Sequence, residues 1–80
     1  MLKLENGAEV ILFIGNKNDG FVLAYDRTAY AVWYCYGMNG CGHLICSRGE
    51  YFPLDSLDKA KECFRNRTQY FLASLERIES

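Results

Sequence analysis

Apolar residues recur along this chain in two different rhythms. From Leu2 to Phe52 they come in short runs and two-residue alternations; after Pro53 they come at three- and four-residue steps. The first rhythm is that of strands, the second that of a helix. Leu2 to Glu5, Asn6-Gly7 and Ala8 to Ile14 predict a hairpin, because Asn-Gly supplies the two positive φ angles of a type I′ turn. Gly15-Asn-Lys-Asn-Asp-Gly20 predicts a second turn, Phe21 to Tyr25 a strand, and Asp26-Arg-Thr28 a tight connection or a bend in one continuous strand. Ala29 to Tyr36 is the most strand-like stretch, and Gly37 to Gly42, with three glycines, is a loop. His43 to Cys46 and Glu50 to Phe52 form a last strand, broken or bulged at Ser47-Arg-Gly49.

Pro53 ends the sheet. Asp55 or Ser56 can cap a helix, and Asp58 suits its positive first turn. Leu57, Ala60, Phe64, Thr68, Phe71, Leu75 and Ile78 then form one apolar stripe. A helix from Ser56 to Ile78 is roughly 34 Å long, against about 20 Å for a six-residue strand. It therefore overhangs the sheet, and Phe71, Leu75 and Ile78 are the residues expected to pair two copies into a homodimer; a curled N-terminal hairpin over that end is the alternative. The fold class is thus α+β: an antiparallel meander of four to five strands (residues 1–53) on one long C-terminal helix (residues 55–79), in a single domain.

Alternation divides Ala29 to Tyr36 into a face of Ala29, Ala31, Trp33 and Cys35 and a face of Tyr30, Val32, Tyr34 and Tyr36. Small residues beside one large one leave room for a helix, so the Ala/Trp/Cys face is assigned to it. Pairing Tyr36 with His43 sets Cys35 opposite Leu44, Tyr34 opposite Ile45 and Trp33 opposite Cys46. Tyr30, Val32, Tyr34, Tyr36, His43 and Ile45 then form an aromatic patch with Arg27 and Asn39 at its rims. Apolar-aromatic surface of this kind marks interaction sites, and tyrosine is favoured in binding hot spots. The competing reading is a second small core covered by the N-terminal hairpin, and a one-residue slip in register would exchange the faces.

Composition changes this picture little. Eighty residues, 50% hydrophobic with one proline, suit one small globular domain. Aromatics reach 15%, with six tyrosines, more than a small core needs. Net charge is −1, so the basic excess usual in nucleic-acid binders is missing. Met1 to Glu5 lacks the n- and h-regions of a signal peptide, and Val10 to Ile14 is far shorter than a membrane span. A cytoplasmic chain with free thiols and no membrane contact is expected, with a Cys35–Cys46 disulfide if the protein is exported or oxidised.

Chemical signatures are weak. Cys35, Cys41, His43, Cys46 and Cys63 invite a zinc reading, but Cys41-x4-Cys46 is not the usual knuckle and the pairing aims these groups apart, so no metal ligand is assigned. His43 could serve Cys41 as a base, but a glycine loop gives that pair no rigid support and no acid stands beside it. Gly37, Gly40 and Gly42 lack the Lys-Ser/Thr ending and the helix that a phosphate loop requires. No cofactor, no catalytic residue and no enzyme activity is predicted. Lys59, Lys61, Arg65 and Arg67 stand against Glu62 alone on the helix, and aromatics on an open sheet can stack bases. The assigned faces put these two features on opposite sides, which argues against nucleic acid. Asn66-Arg-Thr68 matches a glycosylation sequon, but inside a helix it is read as chance.

The stretch Tyr51-Phe-Pro-Leu-Asp-Ser-Leu-Asp-Lys-Ala-Lys-Glu-Cys-Phe64 followed by Arg67 resembles a strand-to-helix unit common in small bacterial and phage proteins of meander-plus-helix form. The resemblance implies a fold junction and no activity. The expected function is a non-enzymatic, protein-binding regulator or inhibitor, comparable in size and acidity with phage-encoded anti-defence proteins of the anti-CRISPR kind. A single-stranded nucleic-acid module and a small zinc domain are the alternatives.

Overall fold

A computed structural model describes residues 3–16 and 18–79, excluding the side chains of residues 48 and 70–79. Four strands, β1 (Glu9–Gly15), β2 (Gly20–Tyr25), β3 (Tyr30–Met38) and β4 (Leu44–Phe52), form one antiparallel meander in sequence order. One helix, α1 (Leu57–Glu79), follows, so the chain has the α+β architecture that its two rhythms predict.

Polar side chains build the connections. The Asn16 amide donates to the Asp19 carbonyl, and Asn16 Oδ1 accepts from the amides of Asn18 and Asp19. Between β2 and β3, Asp26 Oδ1 accepts from the Thr28 amide at 3.1 Å and the Ala29 amide at 2.9 Å, while Arg27 takes a φ of 81°. Such local bonds are why Asn and Asp favour turns. At the helix start, Ser56 lends its carbonyl to the Ala60 amide and Asp58 lies in the first turn.

Three bulges shape the sheet: at Ile11 in β1, at Tyr36 in β3, and at Arg48–Gly49 in β4. The last corresponds to the predicted interruption at Ser47–Gly49, but β4 runs continuously through it. The β1 bulge lets Val10 and Phe13, three residues apart, both pack on one core.

Three expectations are corrected. The N-terminal segment does not form a hairpin with β1. Gly7, at a φ of 84°, closes a turn onto the Leu4 carbonyl, and Leu4 bridges in parallel to Leu44, on the far edge of the sheet. The Glu5 amide donates to the Leu44 carbonyl at 2.9 Å, and the Leu44 amide donates to the Lys3 carbonyl at 2.8 Å. Residues 3–8 thus form a strap from β4 back to β1. These bonds satisfy the backbone N–H and C=O of Leu44 on the β4 edge.

The helix also lies on the other face. Leu57, Ala60, Cys63 and Phe64 pack on Leu23, Val32, Tyr30 and Phe52. Ala31, Trp33 and Cys35 instead join Val22, Ala24, Leu44, Leu4 and Ala8 in a second core under the strap. The register itself differs from the predicted one by two residues at Cys35, which faces Cys46 rather than Leu44. A two-residue slip preserves faces, so Leu44 still shares the Cys35 side.

Candidate functional site

The helix-side face carries a run of rings. Phe21 lies opposite Tyr34 in register, their ring centroids 5.5 Å apart. Tyr36 continues the run, stacked 6.4 Å from Tyr34 at 25°. At the other end, the Arg67 guanidinium sits 5.3 Å above the Phe21 ring, and Arg67 Nη1 donates to the Val32 carbonyl at 3.1 Å. Bond and cation–π contact together fix the first ring of the series. Tyr34 is half-buried, whereas Tyr36 is 50% exposed. The Asp19 carboxylate, accepting a hydrogen bond from Tyr34, pushes its phenol above the ordinary range.

The structure separates the predicted patch into parts. Tyr30 and Val32 belong to the core under α1, Val32 fully buried and Tyr30 half-buried against Tyr25. Tyr34, Tyr36 and half-buried Ile45 remain toward the β3–β4 end. His43 leaves the group and lines a groove of about 580 Å³ with Lys3, Leu4, Glu5 and Val10 beside the strap. Arg27 and Asn39 lie at opposite ends of β3. Exposed Arg27 borders a separate groove with Asn6, Glu9 and Tyr25. Asn39 organises its own loop: its Oδ1 accepts from the amides of Cys41 and His43, and its Nδ2 donates to Glu5 Oε2 at 3.0 Å. The side chains of Phe71, Leu75 and Ile78, expected to form a dimer contact, lie outside the described residues.

One member of the run, Phe21, is absent from the sequence-predicted patch. Phe21 is legible as the only aromatic of β2 besides Tyr25, but its place beside Tyr34 needs the β2–β3 register. Met38 falls in the predicted glycine loop, whereas β3 runs two residues further than expected, through Met38.

The cysteines do not gather around one point. Among the described residues no three of His, Cys, Asp and Glu could hold a metal ion together. Cys41 is exposed in the loop, and Cys63 on α1 donates to Glu50 Oε2 at 3.3 Å. Burial, then the Glu50 carboxylate, pushes the Cys63 thiol up to about 11. Cys35 and Cys46 face one another with their sulfurs 2.8 Å apart. No described helix is long and apolar enough to cross a membrane. No family model matches the chain, and neither a curated protein nor a solved structure matches it.

Proposed function

We propose that this chain is a small, non-enzymatic regulator or inhibitor that binds another protein through Tyr34 and Tyr36. One observation carries the reading: Tyr36 is half exposed, yet it is stacked on a neighbour that is itself braced by Phe21 and, through Phe21, by Arg67. A large ring held in place loses little conformational freedom on binding, which is one reason tyrosine serves so well in hot spots. Small phage anti-defence proteins of similar size and acidity provide the analogy for the inhibitor role.

Affinity capture from the native host with the wild type, Tyr34→Ala and Tyr36→Ala, each against Lys61→Ala as an exposed control on α1, tests this. A protein retained by wild type and control, and reduced about tenfold or more by either patch variant at unchanged Tm, supports the reading. Equal retention by all four chains contradicts it.

A second reading gains from the corrected position of the helix. Arg67 lies on the same side as Phe21, Tyr34 and Tyr36, so cation and rings can act on one ligand. Single-stranded nucleic acid fits that pairing of groups. Titration of a labelled single-stranded oligonucleotide at low salt decides it, because absence of binding there excludes a phosphate-dependent mode.

A further inference from the structure

We propose that Cys35 and Cys46 are a modification site: they form a reversible intramolecular disulfide by exchange with a small-molecule disulfide such as oxidised glutathione. The two residues are direct partners in the β3–β4 register. Cross-strand neighbours bring their Cβ atoms to about 4.5–5.5 Å, near the range a disulfide spans. Their sulfurs, 2.8 Å apart, need to close by less than about 1 Å to reach bonding distance. The Tyr36 bulge adjoins the pair and gives β3 a place to absorb that movement.

The two thiols are unequal in a way that assigns their roles. Cys35 is 1% exposed and packed among Leu44, Trp33 and Val22; Cys46 is partly exposed at the margin of the same core. Of the pair, only Cys46 can be reached from solvent. A hydrogen bond from the Cys35 thiol stabilises the Cys46 thiolate and lowers its pKa, whereas Cys35, bonded to Cys46 and buried, is held well above the usual thiol range. Cys46 is therefore the entering nucleophile and Cys35 the resolving thiol.

The exchange balances in two steps. The Cys46 thiolate attacks one sulfur of glutathione disulfide, forming a mixed disulfide and expelling one glutathione thiolate. The Cys35 thiol gives its proton to that thiolate and attacks the Cys46 sulfur, expelling the second glutathione as a thiolate that takes up the proton Cys46 released on ionising. Two protein thiols are oxidised, and one glutathione disulfide is reduced to two glutathione molecules. The remaining cysteines are internal controls. Cys41 is exposed but has no facing cysteine in the β3–β4 register, and Cys63 is hydrogen-bonded to Glu50 with a raised pKa.

The test equilibrates the full-length chain in a series of reduced and oxidised glutathione ratios, quenches it with acid and maps every cysteine by peptide mass spectrometry. The expected product is a Cys35–Cys46 bridge, two hydrogens lighter than the reduced pair and reversed by excess reduced glutathione. Its Tm should rise by about 10 °C, since the bridge restricts the unfolded chain. Cys41 should carry only a glutathione adduct, and Cys63 should react at least about tenfold more slowly than Cys46. Cys35→Ser should trap Cys46 as the mixed disulfide, and Cys46→Ser should leave Cys35 unmodified. A stable Cys46 adduct in the wild type, or an unreacted pair at ratios that fully modify Cys41, would overturn the proposal. The wild-type peptide map separates these outcomes by itself, even if a serine variant fails to fold.

Discussion

The two faces of one sheet are covered in different ways. On one side a regular helix, whose backbone groups are satisfied internally, rests on Leu23 and Val32. On the other an irregular strap of six residues covers Trp33, held at the far edge by the Leu44 bonds. The element that allows close approach is reversed between them. Under the helix the sheet residues are large and the small one, Ala60, is on the helix. Under the strap the small residues, Ala24 and Ala31, are on the sheet, and Gly49 leaves the space that the Trp33 indole fills. Small residues on a strand therefore identify where something comes close, not what it is.

The largest effects should come from removing each face's main filler. Trp33→Ala should cost about 4 kcal/mol and Leu23→Ala about 3 kcal/mol in urea denaturation, because each empties a packed site. Near-equal losses mean that the strap encloses a core as substantial as the helix does. A Trp33→Ala loss under about 1 kcal/mol would instead make the strap side a loosely covered surface.

A finer break of the strap side is Gly49→Ala. A Cβ at Gly49 would overlap the Trp33 indole, so the ring has to move. Overpacking of this kind costs about 1–3 kcal/mol. It should also alter the near-ultraviolet circular dichroism, because the ring's edge contact and its 3.3 Å bond to the Tyr51 hydroxyl are disturbed. Unchanged near-ultraviolet signal and stability would show that the indole does not lie on Gly49.

Strands and helix were legible because each depends on local pattern. Asn16 and Asp26 predict turns where the chain makes them, the three-glycine loop begins two residues later than expected, and the stripe from Leu57 predicts the helix. The covered face was not legible, since it turns on the approach of distant segments. Ala31 and Cys35 suit a helix and a strap equally well, and only Leu4 bridging to Leu44 decides between them. The aromatic run was half legible. Tyr34 and Tyr36 follow from alternation, but Phe21 needs the inter-strand register and Arg67 the helix's position. Bulges at Ile11 and Tyr36 leave no mark in composition, and each shifts every pairing beyond it.

That register is set between β2 and β3 by the turn at Asp26, which makes its acid a smaller test of the same division. Bonds from the Ala29 and Thr28 amides, then the Thr28 hydroxyl, hold the Asp26 carboxylate below its ordinary 3.8. A depressed folded pKa contributes stability that is present in full above the unfolded value and is lost as pH falls through the folded one. Acid titration of Tm should therefore steepen below about pH 4 in the wild type and less so in Asp26→Asn, which keeps an acceptor oxygen but cannot titrate. Identical acid limbs would mean that Asp26 adds nothing to the turn's pH response.

The smallest effect expected is at the neighbouring residue, and its sign is informative. Arg27 is the one described non-glycine residue at positive φ, at 81°. That conformation costs an L-residue about 1–2 kcal/mol, while glycine's larger unfolded-state entropy takes back about 0.5–1 kcal/mol. Arg27→Gly should therefore stabilise by roughly 0.5 kcal/mol, read as a small rise in Tm. The Arg27 side chain, however, borders the groove that Asn6, Gly7 and Ala8 of the strap also line. If that contact fastened the strap, the variant would lose stability despite the relieved backbone. A gain means that the strap is secured at its Leu44 end and that the turn carries strain only to fix which residues face it.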